Sequence, residues 1–493
     1  MTSLAAVVAQ SDLLTASYLE HGGVLPLERL EASVQVATWL DHVDEQVLDD
    51  LRLLFDADIE VIRCSEGEVR AGIQRAYARD STAQGVADEL AAVDTESDDG
   101  EGAIDDLVTM ANEAPVVKFV NLLLVEALES RASDVHLEAY GDGLEVRYRV
   151  DGVLQEAPSP PRHLAAAIVS RLKIMAELDI AERRLPQDGR IRLRLQNRQV
   201  DVRVSTVPTL HGESVVLRLL DKTQGRVGLM ELGMSDDMLA QFQSAISSPH
   251  GIVLSTGPTG SGKTTTLYAA IDLLRTGREK ILTVEDPIEY QLGVPQVPVN
   301  EKIGVTFATA LRALLRQDPD VMLVGEIRDS ETAEIATQAA LTGHLVLSTL
   351  HTNDAPSALT RLLELNVAPY LVASTVRAVL AQRLVRLVCG HCRAPEVSNT
   401  GELPDLGRGA GLPISRGKGC AECRGTGYRG RIGIYELLTM TDAMRSAVAE
   451  RRSSAEMRRI MVEEGGRTLR DDGLRLVRIG LTTPEEVTRA AGL

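Results

Sequence analysis

Eight consecutive residues of this sequence have the composition of a phosphate-binding loop. Residues 257–264 fit the pattern G-x-x-x-x-G-K-[ST], whose glycines let backbone N–H groups approach phosphate oxygens closely. Apolar residues at 252–255 predict a buried strand before the loop, and residues 264–274 predict a helix after it, which is the context that the pattern requires. The predicted nucleotide-binding residues are Gly257, Pro258, Thr259, Gly260, Ser261, Gly262, Lys263, Thr264 and Thr265.

The lysine and the first threonine at the end of this loop have separate predicted roles. Lys263 places a positive charge against the β- and γ-phosphates of the ligand. The hydroxyl of Thr264 is a predicted ligand of Mg²⁺. The motif therefore predicts a nucleoside triphosphate that is bound together with Mg²⁺.

Polar residues lie close to the ends of three further predicted strands. Buried strands at 281–284, 321–324 and 345–348 alternate with helical segments, which is typical of a doubly wound α/β sheet. Because ligands bind at the carboxyl ends of strands in such sheets, these polar residues are expected to meet the phosphate loop. The candidates for Mg²⁺ binding, water orientation and γ-phosphate sensing are Glu285, Asp286, Glu326, His344 and His351.

Glu326 is the first choice for the carboxylate that orients the attacking water, because it follows a strand of four apolar residues. Glu285 and Asp286 are candidates for contacts to Mg²⁺ or to water, and the sequence leaves the choice between this pair and Glu326 open. His344 and His351 either sense the γ-phosphate and transmit its loss, or are packed, hydrogen-bonded core residues.

Four of the five cysteines form two C-x-x-C pairs, Cys389 with Cys392 and Cys420 with Cys423. This spacing is typical of Zn²⁺ sites, and four thiolates would close the tetrahedral coordination shell. A closed shell indicates a structural site and not a catalytic one. The residues between the pairs, notably 401–419, are rich in Gly and Pro and cannot fold alone, which gives the metal a structural purpose.

The composition of the 493-residue chain argues against several classes of protein. The net charge of −19 is concentrated in residues 1–112, which hold 24 acidic and 6 basic residues, so this part repels nucleic acid. No apolar run approaches the ~20 residues that span a bilayer. The N-terminus lacks the basic segment of a secretory signal. The sequence predicts a cytoplasmic protein that reaches the membrane only through partners and binds no nucleic acid.

Changes in composition along the chain predict six segments. Apolar residues at helical spacing predict a helical docking domain at 1–80, and a flexible acidic linker follows at 81–112. Strictly alternating strands with arginine-rich polar faces indicate an α+β domain at 113–225, although such faces are usually just solvated. The remaining segments are a strand–helix nucleotide-binding domain at 226–388, a tetracysteine subdomain at 389–435 and a helical C-terminal domain at 436–493.

The combination of these motifs resembles the secretion ATPases of the type II secretion and type IV pilus systems, the GspE/PilB group, and within it the type II members most. The resemblance runs from about residue 113 to the end. It includes Ser-Asp-Val-His-Leu-Glu at 133–138, the acidic box at 285–289, the Walker B segment at 318–326 and the histidine box at 342–352. It implies a RecA-like P-loop NTPase core, a PAS-like N2 domain, a zinc-binding insert and small helical terminal domains.

The resemblance also implies an activity and its partners. It implies a cytoplasmic homohexamer, peripheral to the inner membrane, that hydrolyses Mg-ATP to drive pseudopilus assembly and protein export. The alternative is a type IV pilus assembly (extension) ATPase of the PilB type. The implied partner is the cytoplasmic domain of an inner-membrane platform protein, GspL-like or GspF-like, or its pilus equivalent. In this family N2-domain arginines reach the phosphates as arginine fingers, and Arg203 and Arg218 match them by position.

Overall fold

The chain divides into two compact units, Met1–Thr223 and Gln224–Leu493. The computed structural model describes residues 16–29, 33–40, 42–55, 57–78, 83, 87, 109–141, 143–195, 198–221, 227–397 and 413–492. Three predicted features lie mostly or wholly outside the described residues: the acidic linker at 81–112, the domain boundary at 225 and the loop at 401–419.

The first unit begins with a three-stranded sheet. Strands β1 (Val24–Arg29) and β2 (Ser33–Thr38) are antiparallel, and β2 is parallel to β3 (Asp58–Arg63). The prediction of a helical domain is wrong for residues 24–29 and 33–38, which form strands, and side chains along most of β2 alternate between buried and half-buried at the period of a strand. The helices of this part are Ala16–Gly22, Glu45–Phe55 and Glu66–Ala78.

A six-stranded antiparallel sheet follows in the same unit. Its strands are β4 Ala132–Tyr140, β5 Gly143–Val150, β6 Val153–Glu156, β7 Gln187–Leu195, β8 Arg198–Thr209 and β9 Gly212–Asp221. Their order in the sheet is β6-β5-β4-β9-β8-β7. The helices Ala114–Glu129 and Ala165–Met175 share one apolar core with the sheet. The predicted α+β architecture of this region is confirmed.

A buried ion pair fastens the helix Ala165–Met175 to this sheet. Lys173 is only 1% exposed, and its Nζ donates to Glu213 Oε1 at 2.9 Å and to the carbonyl oxygen of Glu182 at 2.7 Å. Glu213 lies at the start of β9. Two charges removed from water are tolerated only while each has the other, so this pair fixes the helix against the strand.

The second unit is built on a larger, mostly parallel sheet. The strands of this unit are β10 Gly251–Thr256, β11 Ile281–Glu285, β12 Gln296–Pro298, β13 Val321–Val324, β14 Leu345–Leu350, β15 Val376–Val388, β16 Arg393–Val397, β17 Pro413–Gly417 and β18 Tyr428–Thr439. Seven of them form one sheet in the order β12-β11-β13-β14-β10-β15-β18, and β16 pairs only with β17. Within the larger sheet only β15 and β18 are antiparallel neighbours. The four predicted strands are confirmed as β10, β11, β13 and β14.

Helices cover both faces of this sheet, as a doubly wound fold requires. Alternate residues of β10 enter different cores: Val253 packs on one face, and Ile252 and Leu254 pack on the other. The helices on the Val253 face are Asp236–Ile246 and Lys263–Leu274. The helices on the opposite face include Phe307–Leu314, Ser330–Leu341, Ala355–Glu364 and Pro369–Thr375.

The C-terminal part of the chain is helical, as predicted. Its helices are Asp442–Ala449, Ser454–Glu463, Leu469–Arg478 and Pro484–Ala491. The last of them starts as the sequence indicates, because the Thr483 side chain accepts a hydrogen bond from Glu486 N and Pro484 occupies the first turn.

We expect Lys173→Met to destabilise the first unit by about 3–5 kcal/mol, because it leaves the buried Glu213 carboxylate without its counter-charge. The double variant K173M/E213M should recover most of this loss, since two apolar side chains of similar size replace both charges. Hydrogen exchange of peptides from residues 165–221, followed at increasing urea concentration, measures the difference. Equal protection in the single and double variants would show that the pair has no such role.

Candidate functional site

The phosphate loop connects β10 to the helix Lys263–Leu274 at the carboxyl edge of the sheet. Gly262, its last glycine, has a φ of 91°, and a Cβ at Gly257 would lie 2.6 Å from Ser261 Oγ, so both positions require glycine. Ser261 Oγ is buried and has no hydrogen-bond partner among the described residues. A backbone cradle without room for side chains and with a free hydroxyl fits a phosphate group.

The outer part of the loop is open to solvent. Pro258, Thr259 and Gly260 are exposed, and so is Thr264 in the first turn of the following helix. Thr265, the next residue, is half-buried. The Thr264 hydroxyl is therefore accessible to a ligand, as its predicted role toward Mg²⁺ requires.

A buried glutamine on β15 holds the inner side of the loop in place. The Gln382 amide is 1% exposed; its nitrogen donates to the carbonyl oxygen of Ser261 at 2.8 Å, and its oxygen accepts from Ser255 Oγ at 3.1 Å. Because Ser255 lies on β10, this side chain joins the loop to two strands at once. The sequence pattern gives no indication of this contact.

Lys263 is held inside the loop by neutral groups. Its Nζ donates to the carbonyl oxygens of Gly257 at 2.7 Å and Pro258 at 3.1 Å. Burial lowers the pKa of Lys263 to about 8; Glu326 acts against this shift and Arg383 adds to it. An ammonium group in such surroundings gains strongly from an arriving anion.

Glu326 lies at the same edge, two residues beyond β13. Its Oε1 is 2.6 Å from Arg328 Nη2, and its Oε2 is 3.2 Å from His351 Nε2. The adjacent backbone is hydrogen-bonded to β11 on one side and to β14 on the other. The carboxylate is therefore fixed in direction and lies within electrostatic range of Lys263. This is the geometry that a water-orienting carboxylate needs.

Glu285 is the last residue of β11. It is buried, and both carboxylate oxygens accept hydrogen bonds: Oε2 from the Tyr268 hydroxyl, and Oε1 from Thr283 Oγ1 at 2.6 Å and from Gln296 Nε2 at 2.9 Å. Burial and the bond to Glu285 raise the pKa of Tyr268. In this structure the side chain points into the core and ties β11 to β12 and to a helix, and its contact with Mg²⁺ or water stays a prediction.

Asp286, the next residue, is exposed at the edge of the sheet. Its charge acts on the Arg328 guanidinium, whose pKa is raised first by the bond to Glu326 and then by Asp286 among others. Of the two neighbouring acidic candidates, Asp286 is therefore the one that a metal ion or water can approach.

The two candidate histidines lie at opposite ends of β14. His351 follows the strand and meets Glu326, whereas His344 precedes it and has its Nδ1 2.9 Å from the carbonyl oxygen of Ala339. Six strand residues separate them, which corresponds to about 20 Å. His344 therefore lies at the amino edge of the sheet, opposite the edge that carries the phosphate loop, and its role in γ-phosphate sensing stays a prediction.

The two candidate arginine fingers belong to the six-stranded sheet of the first unit. Arg203 on β8 and Arg218 on β9 are direct cross-strand neighbours, and Arg190 on β7 is the neighbour of Arg203 on its other side. Arg218 Nε is 2.8 Å from Asp134 Oδ1, whereas no ion pair joins Arg203 to any other described residue. Like charges directly opposite each other destabilise a sheet, so this row of arginines favours an anionic ligand.

The four predicted metal-binding cysteines come together. The Sγ atoms of Cys389, Cys392, Cys420 and Cys423 all lie within 4.8 Å of one another. Individual separations are 3.9 Å for Cys389–Cys420, 3.7 Å for Cys392–Cys423 and 3.6 Å for Cys420–Cys423. Metal–sulfur bonds of about 2.3 Å in a tetrahedron place sulfurs about 3.8 Å apart, so the cluster fits a tetrahedral metal ion.

Backbone N–H groups also donate hydrogen bonds to a sulfur of this cluster. Burial raises the pKa of Cys423, but N–H groups of Cys420 at 3.2 Å and Gly427 at 3.3 Å donate to its sulfur and, with the neighbouring thiols, lower this pKa below its usual value. A thiolate at neutral pH is the form that binds metal. Such N–H groups orient the ligand and stabilise its charge.

Like Gln382, Arg328 is a residue at this edge that the sequence analysis did not single out. It lies two residues after Glu326, and two residues in an extended segment place their side chains on the same side. That spacing is a signal for a pairing between them. The Glu285 partners Tyr268 and Gln296 carry no such signal, because they come from other elements of the fold.

Residues 109–489 match the family described as "Type II/IV secretion system protein". Over 388 residues the chain is 54% identical to "Type II secretion system protein E" of Pseudomonas aeruginosa. This alignment covers 78% of this chain and 77% of that protein. Over 479 residues it is 45% identical to "Type IV pilus assembly ATPase PilB" of Myxococcus xanthus. This alignment covers 94% of this chain and 83% of that protein.

The ATPase DotB of Legionella pneumophila is a similar solved structure. Its TM-score is 0.56 at 22% sequence identity, over 75% of this chain and 94% of that one. At this identity the likeness concerns the fold, and it agrees with the P-loop core described above. Among the helices of the described residues, none combines the length and the apolar character that a membrane span needs.

We expect binding of Mg-ATP to weaken as the pH rises through about 8, because the pKa of Lys263 lies there and only its protonated form attracts phosphate. The Lys263 ammonium is half protonated near pH 8, predominates at lower pH and is lost as the pH rises further. Affinity should fall about tenfold for each further pH unit. Titration calorimetry at pH 9 in two buffers of different ionisation enthalpy should show proton uptake on binding. Constant affinity from about pH 7 to 9.5 would contradict this assignment.

Proposed function

This chain belongs to the type II/IV secretion system protein family, and we propose that it is the ATPase that drives pseudopilus assembly and protein export in type II secretion. The observation that carries this proposal is the phosphate loop with Lys263 in electrostatic range of the fixed carboxylate of Glu326. Phosphoryl transfer requires little beyond such positioning and charge stabilisation. A relative 54% identical is named for type II secretion.

Each residue at the site has a defined task in hydrolysis. The backbone of the phosphate loop and Lys263 bind the β- and γ-phosphates, and Thr264 with Asp286 would hold Mg²⁺, which neutralises charge on those phosphates. Glu326 orients the attacking water and accepts its proton. His351 and Arg328 hold the two oxygens of Glu326, so a change at the γ-phosphate can alter both contacts together.

In this proposal a second subunit completes the site. Arg203 and Arg218 belong to a different unit from the phosphate loop, and they present adjacent positive charges with a single acidic partner, Asp134. In a homohexamer these arginines would reach the phosphates bound by a neighbouring subunit and stabilise the charge that develops during transfer. Breaking the terminal phosphate bond then changes the contacts between subunits, which is the basis of a motor.

The metal in the cysteine cluster is Zn²⁺ in this proposal. Four thiolates in a tetrahedron are typical of a structural zinc site, and no position is left for a substrate. The N–H groups directed at Cys423 support the charge that such a site needs.

The proposed location is the cytoplasm, at the inner membrane. The protein would reach the membrane by docking on the cytoplasmic domain of a GspL-like or GspF-like platform protein, and it would bind no nucleic acid. A role in type IV pilus assembly is the second candidate, because the PilB relative is 45% identical over 94% of this chain.

Two substitutions should separate nucleotide binding from hydrolysis. Lys263→Ala is expected to abolish binding of Mg-ATP, because it removes the positive charge in the loop. Glu326→Gln should retain binding but lower phosphate release by about 10²–10⁴-fold, the usual contribution of such a carboxylate. Phosphate release and equilibrium binding are measured on each purified variant. Glu334→Gln, an exposed carboxylate on the helix Ser330–Leu341, is the matched control. Normal hydrolysis by E326Q would refute the role of Glu326.

Removal of the metal should loosen the cysteine subdomain first. We expect one Zn²⁺ for each subunit, and its chelation should lower the thermal midpoint by about 5 °C or more, because structural zinc contributes to folding. Hydrogen exchange should rise in residues 389–397 and 413–430, whereas the helix Lys263–Leu274 stays protected. Unchanged thermal unfolding together with unchanged ATP affinity after chelation would contradict a structural site.

A further inference from the structure

Strand β15 carries a second positive charge to the phosphate loop. This strand is in register with β10 as far as Ala381, which pairs with Thr256, and then continues alongside the loop. Arg383 lies on this continuation. A Cβ at Gly257 would be 3.1 Å from Arg383 Nη1, so the guanidinium is in contact with the first residue of the loop. None of the phosphate-loop patterns includes this position, because it is more than a hundred residues away in the chain.

The Arg383 side chain has only neutral partners at short range. Nη1 donates to the carbonyl oxygen of Gln382 at 3.1 Å, and Nη2 lies 3.0 Å from the carbonyl oxygen and 3.3 Å from Oδ1 of Asn353. Among the described residues no carboxylate lies within ion-pair distance of it. The guanidinium has five N–H donors, and these contacts engage only its two terminal nitrogens.

The surroundings make this charge unfavourable until an anion arrives. Burial lowers the pKa of Arg383, and the more distant Asp354 and Glu436 only partly offset the effect. Arg383 in turn helps to lower the pKa of Lys263, so the two cations repel each other across the loop. A neutral side chain could make the same hydrogen bonds to Asn353 without this cost.

We propose that Arg383 is a further nucleotide-binding residue, whose positive charge acts with Lys263 on the phosphates held by the loop. This inference rests on the proposed function, since it requires that the loop binds ATP. Arg383 belongs to the same subunit as the loop and therefore acts in every state of assembly. It differs in this respect from Arg203 and Arg218, which require a neighbouring subunit.

The competing explanation is that Arg383 has only a structural role and joins the phosphate loop to the segment after β14 by hydrogen bonds. Asn353 belongs to the segment after β14, and Thr352 in the same segment is hydrogen-bonded to Thr256 through their hydroxyls at 2.8 Å. These loops are therefore joined without the arginine. A structural role would depend on the hydrogen bonds to Asn353, whereas an anion-binding role depends on the positive charge of Arg383. The two explanations make opposite predictions for substitutions at residues 353 and 383.

The test compares charge with hydrogen bonding in the full-length protein. Arg383→Gln removes the charge, Arg383→Lys keeps the charge but loses the paired guanidinium donors, and Asn353→Ala removes the acceptor side chain. Equilibrium binding of Mg-ATP and Mg-ADP is measured at two salt concentrations, and thermal unfolding confirms that each variant is folded. Arg377→Ala, on β15 but bonded to His250, is the matched control.

We expect R383Q to lose about tenfold in affinity for Mg-ATP, with a smaller loss for Mg-ADP, because Coulomb attraction at this range scales with ligand charge. Its affinity should also depend less on salt than that of the wild type. R383K and N353A should stay close to the wild type. Wild-type affinity in R383Q would overturn the inference, as would losses in R383K and N353A that equal the loss in R383Q. A wild-type protein that binds no Mg-ATP would instead refute the proposed function itself.

Discussion

The pairing of β10 on both of its edges is the constraint on which this site depends. The strand forms parallel ladders with β14 on one side and with β15 on the other, and every one of its residues is buried. A shift of one residue would turn its apolar side chains toward the wrong core, so its register is fixed. The phosphate loop therefore starts at a set point, and the residues that follow β13 and β14 meet it there. The chemistry of the edge is a consequence of this register.

The charges at this edge are arranged for a polyanion. Lys263 and Arg383 are cations that neutral carbonyl groups hold in place, whereas Glu326 already has Arg328 and His351 as partners. A phosphate chain can thus gain from the first two groups without displacing the carboxylate from its orientation. Because the groups are positioned before the ligand arrives, little reorganisation is needed during transfer. The arginines on β8 and β9 follow the same logic in the other unit, where adjacent like charges favour an added anion.

Strong periodicity and fixed motifs explain which parts could be predicted from the sequence. The loop at 257–264 and the four strands around it have local signals, and the cysteine pairs have a diagnostic spacing. Strand β15 has none, because arginine and glutamine interrupt its apolar residues and half of it extends beyond β10. The surroundings of Glu285 could not be predicted for a related reason: the sequence shows a carboxylate at the end of a strand but not the tyrosine and glutamine that bond to it. Strands β1 and β2 of the first sheet were missed because short apolar runs fit a helix or a strand equally well.

The end of β15 connects the cysteine cluster to the phosphate loop. Beyond Ala381 this strand pairs with β18 alone, and a two-stranded ribbon has little stability of its own in water. The contacts that hold it include Arg386, which bonds Glu486 at 2.6 Å and lies 4.2 Å from the centre of the Tyr428 ring, and the cysteine cluster, whose first member follows the strand directly. Gln382 lies on the same ribbon and holds the phosphate loop. One continuous strand therefore joins the cysteine cluster to the side chain that holds the phosphate loop.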